Sequence, residues 1–199
     1  MLRIMFALTT VLSFLTFTSV AAQDWQKGMT AFENDDFATA LEEWLPLAEQ
    51  GEPFAQAMLG MIYKMGLGTP QDMTKSLLWF RLAADQGIDA AQNELGVLHL
   101  YGQGVLQDYA LSFRWFKLAA DQGNASAQSN LGVLFESGYG VLQDNIMAHM
   151  WYNIASANGN EKASEWRDER AGLMTPADIS KAQTMASECM SSGYTRCGH

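Results

Sequence analysis

The chain has 199 residues, of which 48% are hydrophobic and 17% charged, a composition suited to one ordinary globular or repeat domain and not to a disordered or collagen-like chain. Lys and Arg number 12 against 22 Asp and Glu, a formal net charge of −10. The composition therefore does not provide the basic surface with which proteins bind nucleic acid or an anionic membrane. Its two cysteines are too few for a disulfide scaffold or a four-cysteine zinc site.

Residues 1–22 have the three parts of a secretory signal peptide. Arg3 makes the positive start, residues 4–17 form an apolar stretch, and small residues occupy 19–22. The alternative is an uncleaved anchor helix, but threonines and serines dilute an apolar run that falls short of the ~20 residues needed to span a bilayer. The sequence therefore predicts cleavage and a mature chain that is periplasmic or secreted.

Residues 23–54 predict a short helical hairpin. Asp36-Phe37 opens its second helix, which carries Ala40, Leu41 and Trp44. This segment lacks the glycine loop that marks the units after it.

Residues 55–162 repeat with a period of 36, which defines units at 55–90, 91–126 and 127–162. Each unit begins with Ala-Gln and continues with Leu-Gly, a Gly-x-Gly loop, an Asp, an aromatic pair and a closing glycine. In the third unit these are Ala127-Gln128, Leu131-Gly132, Gly138-x-Gly140, Asp144, Trp151-Tyr152 and Gly159. Gapless copies at identical spacing exclude chance.

Each unit is predicted to form two antiparallel helices. In the third unit, apolar residues at i, i+4, i+7 and i+8 predict an amphipathic first helix, and Asp144 is placed to cap the second. Gly60, Gly96 and Gly132 lie inside the first helices, where Gly costs about 1 kcal/mol relative to Ala. We therefore predict that another helix packs there too closely for a β-carbon. The aromatic pairs are predicted to fill the core; the alternative is a ligand-stacking box.

This pattern resembles the Sel-one-like repeat (SLR), a branch of the tetratricopeptide superfamily. The resemblance covers three complete units, with His99 and Phe135 replacing the usual Tyr and Thr69 the usual Val. Residues 23–54 resemble a shorter tetratricopeptide-like unit. The resemblance implies an all-α fold, a right-handed α-solenoid of antiparallel helical hairpins, and a role as a protein-interaction scaffold, often in exported bacterial proteins.

Residues 163–199 are predicted to form a capping hairpin and tail, with helices at 163–172 and 176–189. In an oxidising compartment Cys189 and Cys197 predict a disulfide that pins the tail. The alternative is a zinc site in which both cysteines and His199 join an unseen fourth ligand, although the spacing matches no familiar zinc motif.

The search for an enzyme finds no catalytic motif. The chain lacks S-x-x-K, S-D-N and K-T-G, which β-lactam chemistry uses, and also G-x-S-x-G, H-E-x-x-H and both phosphate-loop patterns. His99 and His149 come from different repeat positions, and acidic pairs such as Glu42-Glu43 are expected on a solvated helix face. We therefore expect no enzyme, no cofactor and no metal.

A binding surface is predicted on the first helices of the repeats, opposite their core stripe. In tetratricopeptide-like solenoids the first helices line a concave groove, so the resemblance places this row along it. The alternative is that the row serves packing between repeats, in which case the loop edge at Tyr109 and Tyr139 is the next candidate. The predicted partner-binding residues are Met61, Met65, Asn93, Val97, Leu100, Tyr101 and Val133.

The predicted function is that of an exported scaffold which binds a protein or peptide partner in this groove, as a monomer, without nucleic acid and without membrane insertion after cleavage. A second hypothesis is a binder or hydrolase of cell-wall fragments or β-lactam-like molecules, which would need aromatic and carboxylate side chains converging in one pocket. A third is a structural envelope protein.

Overall fold

The computed structural model describes residue 22 and residues 24–197. The predicted signal peptide lies outside this range apart from its last residue. No helix in the described part of the chain is long and apolar enough to cross a membrane. The chain divides into two compact units, one ending at Leu82 and the other beginning at Ala83, and each is described on its own.

The described residues form helices joined by short loops. The first, α1, covers 24–33. It is followed by α2 (Phe37–Glu49), α3 (Pro53–Met65), α4 (Met73–Asp85), α5 (Asp89–Tyr101), α6 (Tyr109–Ala120), α7 (Ala125–Ser137), α8 (Asn145–Ala157), α9 (Glu161–Ala171) and α10 (Pro176–Ser191). The first helices of the repeats thus begin two residues before the predicted unit boundaries.

Aspartates start the second helices, as predicted. Asp108 Oδ1 accepts the backbone N–H of Leu111 at 2.9 Å, and Asp144 Oδ1 accepts those of Ile146 and Met147 at 2.8 and 3.0 Å. Each bond satisfies a donor that the helix itself leaves without an acceptor. The N-cap prediction is confirmed, and these bonds fix the residue at which each of these second helices begins.

The glycines inside the first helices face the second aromatic residue of the repeat. A Cβ built on Gly60 would lie 2.5 Å from Cδ1 of Phe80, which is closer than real side chains pack. The prediction of a close helix contact is confirmed, and the close neighbour is the second helix of the same repeat. The pairs are Gly60 with Phe80, Gly96 with Phe116, and Gly132 with Tyr152. These rings are buried, so they serve the core and not a ligand-stacking box.

The first hairpin uses the same device with a different aromatic residue. Gly28 on α1 lies against the indole of Trp44 on α2, and Trp44 is fully buried. Its Nε1 donates to the Trp25 carbonyl at 3.3 Å, and the two indoles stack with centroids 5.4 Å apart. The glycine and its aromatic partner are 16 residues apart here and 20 in the full repeats, because the α1–α2 loop is shorter.

The second glycine of the Gly-x-Gly loop lies on the helix start of the preceding hairpin. A Cβ on Gly68 would be 2.7 Å from the backbone nitrogen of Ala38, and one on Gly140 would be 2.7 Å from the carbonyl carbon of Tyr109. Both glycines have positive φ, 63° and 71°, which side chains rarely adopt. These two loops therefore contact the start of the preceding second helix through backbone.

The C-terminal helix departs from the predicted hairpin. The sequence predicts that α10 pairs with α9, whereas α10 packs mainly against α8, where it helps to bury Met150 and Ile154. The reason lies in α9: one repeat period after Leu131-Gly132 the chain carries Arg167-Asp168. Charges at those core positions give α9 no apolar face for a second helix, so α10 covers α8.

Candidate interaction surface

The structure places the predicted first-helix row at three depths. Met65 in the first unit is 59% exposed, and Tyr101 in the second unit is 64% exposed. Met61, Val97 and Val133 are half-buried. Of these, Val97 and Val133 pack against hydrophobic clusters of the second unit.

Two members of the row, Asn93 and Leu100, are buried. Leu100 belongs to the hydrophobic core of the second unit, where it is 4% exposed. Asn93 Oδ1 accepts a hydrogen bond from Asn130 Nδ2 at 2.9 Å, which joins α5 to α7. The expectation that these two side chains face a partner is corrected here. They serve packing between repeats, because a first helix of this unit also touches the next first helix.

The glutamines of the Ala-Gln pairs hold the connections between repeats. Gln56, Gln92 and Gln128 each donate from Nε2 to a carbonyl at the C-terminal end of the preceding helix, at 3.0, 3.2 and 3.1 Å. Each of those carbonyls also accepts the backbone N–H of the glycine that follows the helix, so the glutamine supplies a second donor. The side chains are buried, so these repeated polar residues are structural and do not form a binding site.

The loops of the second unit present a further apolar surface. The rings of Tyr109 and Tyr139 stack with centroids 4.6 Å apart and an interplanar angle of 6°. Leu106 and Leu142 occupy the same position of successive repeats and are 90% and 89% exposed. This is the loop edge that the sequence offers as the next candidate.

The titratable cluster around α9 is structural. The Arg170 guanidinium pairs with the Glu136 carboxylate, and Tyr152 Oη donates to the same carboxylate at 2.6 Å. Burial, and secondarily the charge of Glu169, raises the pKa of the Tyr152 phenol, so it remains a proton donor. The three groups fix α9 against the third repeat.

The two described histidines, His149 and His99, lie in different repeats. His149 is buried, and within the described residues its Nδ1 has no hydrogen-bond partner. Burial, followed by the positive charge of Arg167, lowers its pKa, while Asp168 opposes the shift. His99 is half-buried in another repeat. Among the described residues, no His, Cys, Asp and Glu side chains gather in a group that could hold a metal ion.

The tail is attached at two points. Cys189 and Cys197 form a disulfide, and both are buried. Between them, Tyr194 exchanges hydrogen bonds with the side chain of Asn158 at 2.8 and 3.1 Å and contacts Gly123. The tail therefore covers the end of α8 and the α6–α7 connection.

The described residues form repeated helical hairpins, and their repeated polar side chains cap helices or bond to helix ends. Apolar side chains are exposed at helix ends and in loops. These features define a helical-repeat protein. The Sel1 repeat family model matches residues 53–88, 89–124 and 125–160, more than half of the chain. The chain belongs to the Sel1 repeat family, with an all-α solenoid fold. Proteins of this family typically mediate protein–protein interaction and are typically non-catalytic.

Two solved structures resemble this chain. One is a protective antigen present in uropathogenic Escherichia coli strains that displays an SLR fold; it is 34% identical, with a TM-score of 0.69 over 77% of this chain and 34% of that chain. The other, a Sel1 repeat protein from Oxalobacter formigenes, is 28% identical, with a TM-score of 0.65 over 69% of this chain and 57% of that chain. This chain thus spans about a third of the first protein and somewhat more than half of the second. No curated protein sequence matches it.

Proposed function

We propose that the protein is an exported, non-enzymatic scaffold that binds a protein or peptide partner through exposed residues on the first helices of its repeats. The observation that carries the proposal is the exposure of Met65 and Tyr101. Both are the last residues of their helices and occupy the same repeat position, where the third repeat has Ser137. A large apolar side chain left in water at a position that varies between repeats suits selective recognition.

The packed residues of the row and the exposed ones have different surroundings. The neighbouring row positions that pack, such as Leu100 and Val97, contribute to the core, whereas Met65 and Tyr101 lie mostly in solvent. Replacing the two exposed residues therefore removes contact area without opening a cavity in the protein itself. Their effect on affinity is separable from any effect on stability.

The binding test begins with a partner recovered from envelope extract by the mature chain. Tyr101→Ala and Met65→Ala should each weaken its binding by more than about 1 kcal/mol if they are anchors. Calorimetry measures the affinity, and circular dichroism should show an unchanged melting temperature. Val97→Ala is the control, since this side chain packs against the core and its loss should lower stability. If Tyr101→Ala and Met65→Ala lower stability and spare affinity, the row is packing surface and the proposal is wrong.

Export is the second part of the proposal. The pattern of residues 1–22 supports it, and a disulfide is typical of oxidising compartments. Cleavage after Ala21 or Ala22 leaves Ala at the last position of the leader, so the mature protein should begin at Ala22 or Gln23. N-terminal sequencing of the envelope fraction measures this directly. A chain with Met1 intact in the membrane would contradict export as a cleaved protein.

A further inference from the structure

The loops of the second unit carry a surface that the first-helix row does not use. We call it the loop edge and define it as Leu106, Tyr109, Tyr139 and Leu142. Leu106 and Leu142 are almost fully exposed, Tyr139 is exposed, and Tyr109 lies half-buried beneath it. One exposed leucine on a protein surface is ordinary. Leu106 and Leu142 occupy the same position of successive repeats, and each lies three residues from one of the stacked tyrosines; we call these four exposed or half-buried side chains the strip.

The strip is held by ordered backbone. The stacked rings of Tyr109 and Tyr139 join the two loops, and Gly140 lies directly on the backbone of Tyr109. Val141, the residue before Leu142, packs against the core of the unit. The loop is thus anchored on one side while its leucine points outward, so a partner would meet leucines that are already positioned and would lose little entropy in ordering them.

The charged residues nearest the strip in sequence are acidic, and the first cation along either segment is Arg114, exposed on α6. Residues 101–113 and 137–148 contain no Lys or Arg, and their charged residues are Asp108 and Asp144. Both aspartates are exposed, and their capping bonds fall on Oδ1. The strip is therefore two leucines and a tyrosine pair with one carboxylate in each loop, in a chain of net charge −10.

We propose that the loop edge binds an extended segment of a partner protein that carries aliphatic side chains and Lys or Arg on the same face, at every second residue. The aliphatic side chains cover Leu106 and Leu142, and the cations pair with Asp108 and Asp144. An anionic lipid surface has the opposite preference, because the same carboxylates repel it. This inference rests on the proposed function and adds the chemistry of the partner and binding residues other than Met65 and Tyr101.

The test uses synthetic peptides of equal length, so that no partner need be identified beforehand. One carries Lys and Leu in turn on one face with Ser at the intervening positions, the second has Glu in place of Lys, and the third has Ser in place of Leu. Anionic vesicles of phosphatidylethanolamine and phosphatidylglycerol are the fourth probe. The mature chain should bind the Lys–Leu peptide at least tenfold more tightly than the other two peptides. Leu106→Ser with Leu142→Ser should lower that affinity by at least tenfold. Leu173→Ser, an exposed leucine outside the loop edge, should change it less than twofold.

The charge is tested without disturbing the helix caps. Asn caps a helix about as well as Asp, so Asp108→Asn with Asp144→Asn removes two charges and keeps the capping oxygens. This variant should bind the Lys–Leu peptide at least threefold more weakly, with an unchanged melting temperature. Glu165→Gln with Glu188→Gln, two exposed carboxylates on α9 and α10, is the control of equal charge.

The outcomes separate this inference from the proposed function. Loss of peptide binding in the loop-edge variants, with the Met65→Ala and Tyr101→Ala chain unaffected, supports the loop edge. Loss only in the Met65→Ala and Tyr101→Ala chain overturns the loop edge and leaves the proposed function standing. Equal binding of all three peptides, binding of none, or loop-dependent binding to the vesicles overturns the proposed partner chemistry, while the envelope pull-down judges the proposed function independently.

Discussion

Adding a methyl group to Gly96 tests the closest helix contact in the second unit. A Cβ at this position would overlap the ring of Phe116, which is fully buried and has no room to withdraw. Helix propensity alone would make Gly96→Ala more stable by about 1 kcal/mol. Overpacking a core costs about 1–3 kcal/mol, so we expect a net destabilisation of about 0–2 kcal/mol for Ala and more for Leu.

The assay is chemical and thermal unfolding followed by circular dichroism. In a chain of this size 1 kcal/mol lowers the melting temperature by roughly 2–4 °C. A double-mutant cycle with Phe116→Leu isolates the contact, because the smaller side chain should relieve part of the cost of Gly96→Ala. Gly172→Ala is the control, since Gly172 is exposed and has negative φ. A Gly96→Ala protein that melts higher than the parent would refute the close contact.

Three further predictions concern polar and covalent features of the second unit. Replacing Cys189 and Cys197 by Ser should lower stability by about 2–3 kcal/mol in the chain-entropy model of a small loop; an intact mass showing two free thiols in the native exported protein would contradict the pairing. Gln128→Ala should cost about 1 kcal/mol by removing the buried side-chain hydrogen bond to the carbonyl at the end of α6, which urea unfolding measures. Burial lowers the pKa of His149, so its contribution to stability is present above about pH 6.5 and is lost as the pH falls below that value. His149→Gln should therefore flatten the decline in the free energy of unfolding between about pH 7 and pH 5.5. An unchanged slope of the free energy against pH would contradict this.

The repeated hairpins were predictable because their signals are local. The Asp caps, the helix-ending glycines and the aromatic pairs each act within one repeat, and three copies make each signal visible. Gly96 was also interpretable, since a residue that weakens a helix three times at one position needs a packing reason. These features required no knowledge of how one repeat meets the next.

The errors arose where distant parts of the chain meet. A helical wheel assigns one inner face to each first helix, but Leu100 packs in the core and Asn93 bonds to the next first helix. The site of α10 depends on what α9 cannot accept, which a local motif does not reveal. Gly28 gives no repeated signal, because it occurs once and its partner Trp44 lies at a different spacing. The Gln carbonyl bonds were likewise hidden, since Gln at a helix start has no local signature.

The array of repeats ends at α9, where Arg167 and Asp168 occupy the Leu-Gly position. Asn160 caps α9 as Asn124 caps α7, so α9 begins like the first helix of another repeat. The charged pair at the Leu-Gly position then prevents a second helix from packing against α9. This helix is therefore the terminator of the array. Duplication of a 36-residue unit upstream of α9 would lengthen the array and leave this terminator intact.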